Sequence, residues 1–261
     1  MPGWLNRLQE SLQQGRMERM HLNTSDVFDL SPAPLETIPF EYLCKRQFLR
    51  PDIYEGIAQS FPVCASSTGP TGFSFYWGDP EYDRLLREHP AWKAFFDAAH
   101  SQAFIDACIQ QFRPAFVAHK CCIDLDKAVY VPYRESREDK ERRHILEIRH
   151  QPHELFVRLD VHQGYTGYSR AVHLDHRRRL LSMLIYFCDQ GDMDGGELVL
   201  HGTRLRVLRP EMARVRPEPN LMAAFACSPV SYHSVPVIKS QVSPRNFVQI
   251  QISSSVDAWP S

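Results

Sequence analysis

No stretch of this chain stays apolar for anything near the ~20 residues needed to cross a bilayer, and residues 1–20 lack the unbroken apolar core of a secretion signal. The expectation is a cytoplasmic chain without membrane contact. Neither charge is in surplus: 30 Lys and Arg stand against 31 Asp and Glu, a net charge of −1. That balance removes the overall positive field of a dedicated nucleic-acid binder, so nucleic acid is not an expected partner. The cysteines are never paired as C-x-x-C. Seven of them (Cys44, Cys64, Cys108, Cys121, Cys122, Cys188 and Cys227) are scattered, which suits reduced thiols packed as small hydrophobes rather than a disulfide or zinc framework. Internal repeats and low-complexity tracts are missing as well.

What the chain does have is material for a core, with 43% hydrophobic residues over 261. That length fits a single domain covering residues 1–261, with a helical part over 1–114 and a β-rich part over 115–255. Trp4, Leu5, Leu8, Leu12 and Met17 recur at nearly helical spacing, which predicts a short amphipathic helix over 3–20 that could serve as an oligomer contact in a homodimer. A Pro-containing polar stretch over 23–39 reads as an extended connection. A strand over Phe40–Cys44 and a helix from Pro51, stopped by Pro62, come next. Helical spacing returns over 82–89, 92–100 and 104–112, punctuated by Pro90, Ser101 and Pro114.

After Pro114 short runs of Val, Ile, Leu, Tyr and Phe alternate with polar residues between turn formers. This predicts strands over 116–123, 144–150, 155–162, 169–173, 181–188, 197–201, 204–208, 221–226, 231–238 and 246–253. Many short strands after a helical region predict a jelly roll with helices packed on one sheet. Residues 134–143 are almost continuously charged, a solvated loop or exposed helix; within 124–143 and 202–219 lie the candidate lids over a site.

The chemistry centres on His173-Leu174-Asp175. On an extended chain, positions i and i+2 project from one face, so the imidazole and carboxylate can address one ion while Leu174 turns away. A third ligand is offered by His233 in Ser231-Tyr232-His233-Ser234-Val235. Two histidines and one carboxylate form the facial triad of non-haem Fe(II) oxygenases, which leaves room for a bidentate cosubstrate and dioxygen.

The neighbourhood of these residues resembles the prolyl-4-hydroxylase-like branch of the Fe(II)/2-oxoglutarate dioxygenases. The resemblance runs through Gly164-Tyr165-Thr166-Gly167-Tyr168 before the His-x-Asp, Leu184-Ile185-Tyr186 on the next strand, then Gly195-Gly196-Glu197-Leu198, His233 and a later basic residue, Arg245. It covers about residues 155–255 and departs from the family at Phe187 and Cys188, where leucine and asparagine are usual. It implies a double-stranded β-helix, a cupin-like jelly roll. Fe(II) would be held by His173, Asp175 and His233 as the catalytic group, with 2-oxoglutarate and O2 as cosubstrates. Arg245 would pair with the distal carboxylate of 2-oxoglutarate, helped by Tyr186, with Ser182 and Gln249 beside it. Asp175 occupies the position that related halogenases vacate for chloride, so hydroxylation is the implied outcome. A small metabolite, an amino acid or a sugar-containing precursor, is the expected substrate class, ahead of a peptidyl proline.

Strand alternation gives a second reading of the same residues. With His173 inward, Ser182, Leu184 and Tyr186 should face the site while Met183, Ile185 and Phe187 pack outside. With Arg245 inward, Phe247, Gln249 and Gln251 share its face and Val248, Ile250 and Ile252 oppose it. A polar row of Arg and two Gln beside an apolar row is what a polar cavity within a jelly roll requires. His176 should point away from the ion, the run Arg177-Arg178-Arg179 reads as a solvated loop at the mouth, and His162 and Gln163 read as structural. Two other function classes stay open: a jelly-roll binding module that lacks catalysis, and a nucleic-acid repair oxygenase, kept by the arginines between Arg204 and Arg216.

Overall fold

The computed structural model describes residues 23–63, 71–134, 151–203 and 209–260. The predicted N-terminal helix over 3–20, the predicted strands over 144–150 and 204–208 and most of the charged 134–143 segment lie outside these.

After a short 3-10 turn over Thr24–Asp26 come β1 (Tyr42–Lys45), α1 (Pro51–Gln59), β2 (Gly72–Phe75), α2 (Pro80–Glu88), α3 (Pro90–Ala99) and α4 (Gln102–Ala118). Proline starts α1, α2 and α3, where its fixed φ suits the first turn and no hydrogen-bond donor is needed. Ser101 caps α4 by accepting from the Phe104 N–H. The strand predicted over 116–123 is absent: α4 runs through Pro114 to Ala118. Phe104, Cys108, Phe112 and Phe116, four apart, keep one buried helical stripe, while Pro114 sits on the exposed side. Burial of Phe116 on that stripe outweighs the local cost of a proline inside a helix.

The β part comprises β3 (Val129–Tyr130), β4 (Glu154–Gly164), β5 (Arg170–His173), β6 (Arg179–Tyr186), β7 (Met193–Asp194), β8 (Leu198–His201), β9 (Glu211–Val215), β10 (Met222–Ala226), β11 (His233–Val235), β12 (Ser240–Gln241) and β13 (Arg245–Ser254). The major sheet runs β1-β10-β6-β13-β4-β2, with β3 added in parallel to β4. The minor sheet runs β5-β11-β8-β9, and β7 pairs with β12. Together they form a double-stranded β-helix, a jelly roll with helices on the outer face of the major sheet. β9 falls inside the stretch read as a lid. It pairs with β8, Leu198 opposite Val215, and its arginine and glutamate face outward, which hides a strand pattern.

The alternation on β6 and β13 holds. Met183, Ile185, Val248, Ile250 and Ile252 join the helices in one core with Trp92, Phe95, Phe104 and Phe112. Leu184, Tyr186 and Phe247 lie between the sheets with Leu198, Leu200 and Ile238. Each such side chain contributes roughly 1.5–3 kcal/mol by burial. That second core fills only part of the space between the sheets; the remainder is a polar cavity. Cys108, Cys188 and Cys227 are buried as expected, whereas Cys44 and Cys122 are exposed. No helix among the described residues is long and apolar enough to cross a membrane.

Candidate active site

His173 ends β5 and His233 begins β11, and the antiparallel register sets them directly opposite each other. Their rings lie 4.3 Å apart. Asp175 comes two residues after the end of β5, and the ligand atoms of His173, Asp175 and His233 all fall within 4.8 Å of one another. Each imidazole uses Nδ1 on a backbone carbonyl, His173 on Ala171 at 2.8 Å and His233 on Ser231 at 2.9 Å. That fixes the tautomer, since Nδ1 must carry the proton it donates, and leaves Nε2 as a lone pair for a cation. The donor set therefore fits a divalent iron ion.

The carboxylate is held from two sides. Arg179 Nη1 donates to Asp175 Oδ1 at 2.6 Å, and the Cys227 thiol lies 3.6 Å from Oδ2. Burial acts to raise the Asp175 pKa, yet Arg179 first, then His233 and His173, hold it below the usual carboxylate value. Burial also takes His233 below the usual imidazole range, against the opposing pull of Asp175. The Cys227 thiol is pushed far up by burial and by Asp175, and so stays protonated.

Three positions depart from the strand-based reading. β5 stops at His173, so side-chain alternation lapses beyond it, and Leu174 and His176 both line the cavity. Arg179 is not a loop residue at the mouth but the first residue of β6, paired with Asp175.

Across the cavity, β13 carries Arg245, whose side chain is completely buried. Its Nε donates to the Gly196 carbonyl at 2.6 Å and Nη2 approaches the Tyr186 hydroxyl at 3.4 Å, while the guanidinium lies over the Phe247 ring. Nη1 has no hydrogen-bond partner among the described residues although it is sealed from solvent. A buried cationic N–H of this kind calls for an anionic acceptor, so the residues fit one carboxylate of 2-oxoglutarate. Burial raises the Tyr186 pKa, which keeps its hydroxyl a donor. The Gly-Gly-Glu turn explains how Arg245 is held. Gly195 has φ +89°, and a Cβ there would stand 2.0 Å from the Val237 carbonyl oxygen; at Gly196, φ +83°, a Cβ would press on Ile238, Met193 and Arg245. Gln249 lines the cavity and donates to Ser182 Oγ at 2.9 Å, which places Ser182 beneath it.

One cavity of about 310 Å³ thus joins the His-Asp-His group on the minor sheet to Arg245 and Gln249 on the major sheet. It is also lined by Arg158, Asp160 and His162 from β4, residues not singled out as site residues. His162 stacks on Phe247 at 4.8 Å and meets Ser74 through Nδ1 at 2.7 Å, while Gln163 faces away to Pro62 and Asn246. A signal for them existed: Arg158, Asp160 and His162 are spaced i, i+2, i+4 within a strand read as core, the same kind of polar row that marks β13.

Fold and site together give a jelly roll with a His-Asp-His group and a buried arginine in one cleft. Residues 159–250 match the model of the 2OG-Fe(II) oxygenase superfamily. The superfamily works with Fe(II), 2-oxoglutarate and O2. No curated protein matches the chain. Among solved structures, an oxidoreductase of the 2OG-Fe(II) oxygenase family from Burkholderia pseudomallei is 19% identical, with 41% of this chain and 48% of that one covered and a TM-score of 0.30. The match thus spans about half of that relative's length. A prolyl-4-hydroxylase from Pseudomonas putida is 14% identical over 82% of this chain and 92% of its own, with a TM-score of 0.42. A prolyl hydroxylase from Trichoplax adhaerens, in complex with a hypoxia inducible factor peptide fragment, is 13% identical over 82% and 83%, with a TM-score of 0.45.

Proposed function

We propose that this protein is a hydroxylase of a small molecule, in which His173, Asp175 and His233 hold Fe(II) and Arg245 anchors 2-oxoglutarate. The observation that carries the reading is the pairing, within one cavity, of two imidazole Nε2 atoms and a carboxylate with the unsatisfied Nη1 of Arg245. Iron when bound supplies the means to couple 2-oxoglutarate oxidation by O2 to substrate oxidation. One oxygen atom enters succinate, with loss of CO2, and the other enters a C–H bond of the substrate to give an alcohol.

The chain's own residues do the positioning. Backbone carbonyls of Ala171 and Ser231 fix the imidazole tautomers, and Arg179 holds the Asp175 carboxylate through Oδ1. Arg245 and Tyr186 would hold the distal carboxylate of the cosubstrate, with Gln249, steadied by Ser182, on the same cavity wall. Phe225 packs against the His233 ring at 4.6 Å and would shield that imidazole from water. Asp175 fills the position that a halide would need, which favours hydroxylation. The residues 1–261 are read as one oxygenase domain.

The test is anaerobic addition of Fe(II) and 2-oxoglutarate, read as a weak visible charge-transfer band, with succinate formation measured once air is admitted. Both signals are expected, and both should vanish in Asp175→Ala. A protein with neither signal would be a binding module on the same fold.

A further inference from the structure

Metal and cosubstrate account for only part of the cavity wall. On β4, Arg158 and Asp160 are successive inward residues, 5% and 2% exposed, joined through Nε at 3.0 Å and Nη2 at 2.5 Å. Opposite Arg158 in the register stands Gln251 of β13, itself 2% exposed, with Ser182 of β6 on its other side. A buried ion pair is generally no more stabilising than apolar side chains of similar volume. Its place on the wall of a catalytic cavity therefore points to recognition rather than to stability.

Two groups on this wall are uncommitted. Gln251 Oε1 is sealed from solvent and has no hydrogen-bond partner among the described residues; a buried amide oxygen in that state calls for an N–H or O–H donor. Arg170 lines the same cavity at its rim, held loosely by the Tyr168 hydroxyl at 3.4 Å with its guanidinium 5.8 Å from the Tyr168 ring centroid. Among the described residues no carboxylate pairs with it. Four arginines and two aspartates line the cavity. Arg158 is matched to Asp160 and Arg179 to Asp175, and Arg245 is assigned to the cosubstrate. Arg170 is the cation left over, and an anion is its natural partner.

We propose that the substrate is a small free acid that also carries an N–H or O–H donor, the chemistry of an amino acid or a hydroxy acid. Its carboxylate pairs with Arg170 and its donor reaches Gln251 Oε1 beside the Arg158–Asp160 pair. This rests on the oxygenase reading above and narrows it, because a prolyl residue within a peptide chain has no free carboxylate to give Arg170. The cavity, about 310 Å³, lies at the small end of ligand pockets and must also hold the cosubstrate, which suits a molecule of metabolite size.

The test uses the full chain with Fe(II) and saturating 2-oxoglutarate. The probes are the proteinogenic L-amino acids and their α-hydroxy analogues, each as the free acid and as its primary carboxamide. At least one free acid should raise the rate of succinate formation, and its carboxamide should not. Gln251→Leu should raise the half-saturating concentration of that acid by about tenfold or more, the usual consequence of removing one partner of a polar contact in a closed site, and Arg170→Gln, at the exposed rim, by roughly threefold to fivefold. Stimulation by carboxamides equal to that by acids, no stimulation by any probe, or unshifted half-saturation in both variants overturns the inference. The anaerobic iron and 2-oxoglutarate band separates the two levels: with the band present, these results sink only the substrate assignment, and with it absent the oxygenase reading goes too.

Discussion

Arg179 donates to Oδ1 of Asp175 at 2.6 Å, so the first residue of one major-sheet strand holds the carboxylate that lies just past the last residue of a minor-sheet strand. The pair links the two layers of the jelly roll beside the cavity. It gives Asp175 a fixed orientation through Oδ1, while Oδ2 meets the Cys227 thiol.

Removing that support should loosen the metal site more than the fold. Arg179→Leu is expected to weaken Fe(II) binding by about 10- to 100-fold, the typical range for residues that orient metal ligands, and Arg179→Lys to recover part of it. Anaerobic iron titrations on the two variants test this. Equal affinity in Arg179→Leu and the parent protein would show that Asp175 needs no positioning.

The two histidines should separate metal affinity from stability. Both His173→Ala and His233→Ala are expected to lose stoichiometric iron at micromolar concentrations. His173 sits on the exposed strand β5, so its removal should leave the melting temperature nearly unchanged. His233 is 7% exposed and packs on Phe225, so its truncation opens a hole and should cost about 1–3 kcal/mol. Elemental analysis beside thermal melts reads both quantities.

Arg245→Gln keeps a polar side chain but deletes the charge that would meet a carboxylate. Breaking a buried charge-assisted pair costs about 2–5 kcal/mol, so half-maximal turnover should need at least about 30-fold more 2-oxoglutarate. Fe(II) affinity should be little altered, since no metal ligand is touched. Uncoupled succinate formation against 2-oxoglutarate concentration gives the answer without knowledge of the substrate, and a parental curve would move the anchor to another cation.

A pH dependence is built into the helical layer, away from the cleft. His100 is buried and its pKa is lowered to about 3, first by desolvation and then by Arg134. The unfolded chain therefore takes up a proton near the ordinary value of about 6.5 while the folded chain does not. Stability from this group is complete above about pH 6.5 and is lost as pH falls towards 3, by about 2 kcal/mol at pH 5. His100→Phe should flatten that part of the profile, so that its melting temperature relative to the parent rises steadily from pH 7 to pH 5. A constant difference over that range would mean that His100 is already neutral in both states or charged in both.

Much of the site was legible in one dimension because a strand alternates its side chains every two residues. The polar row of Arg245, Gln249 and Gln251 and the inward Leu184 and Tyr186 come from that period, whereas Asp175, past the end of β5, came from the His-x-Asp spacing alone. The opposite faces of β6 and β13 came from the same rule. Where the chain leaves a strand the rule lapses, which is why Leu174 and His176 turned out to line the cavity. It also misled at Phe116, where a four-residue apolar stripe carried a helix through a proline that locally reads as a stop.

Sequence alone determined which residues share a face: hydrophobic and polar periods are local, set by backbone geometry within a single element. What only the tertiary structure decided is which faces meet. Arg158 and Gln251 stand 93 positions apart and become neighbours only in the β4–β13 register, and His173 meets His233 only because β11 lies against β5. Those pairings are chosen by the packing of the whole sheet and its helices, a sum over many weak contacts between distant segments. No local spacing records that sum, so Arg179 on Asp175 and the orphaned oxygen of Gln251 could be found only in the folded molecule.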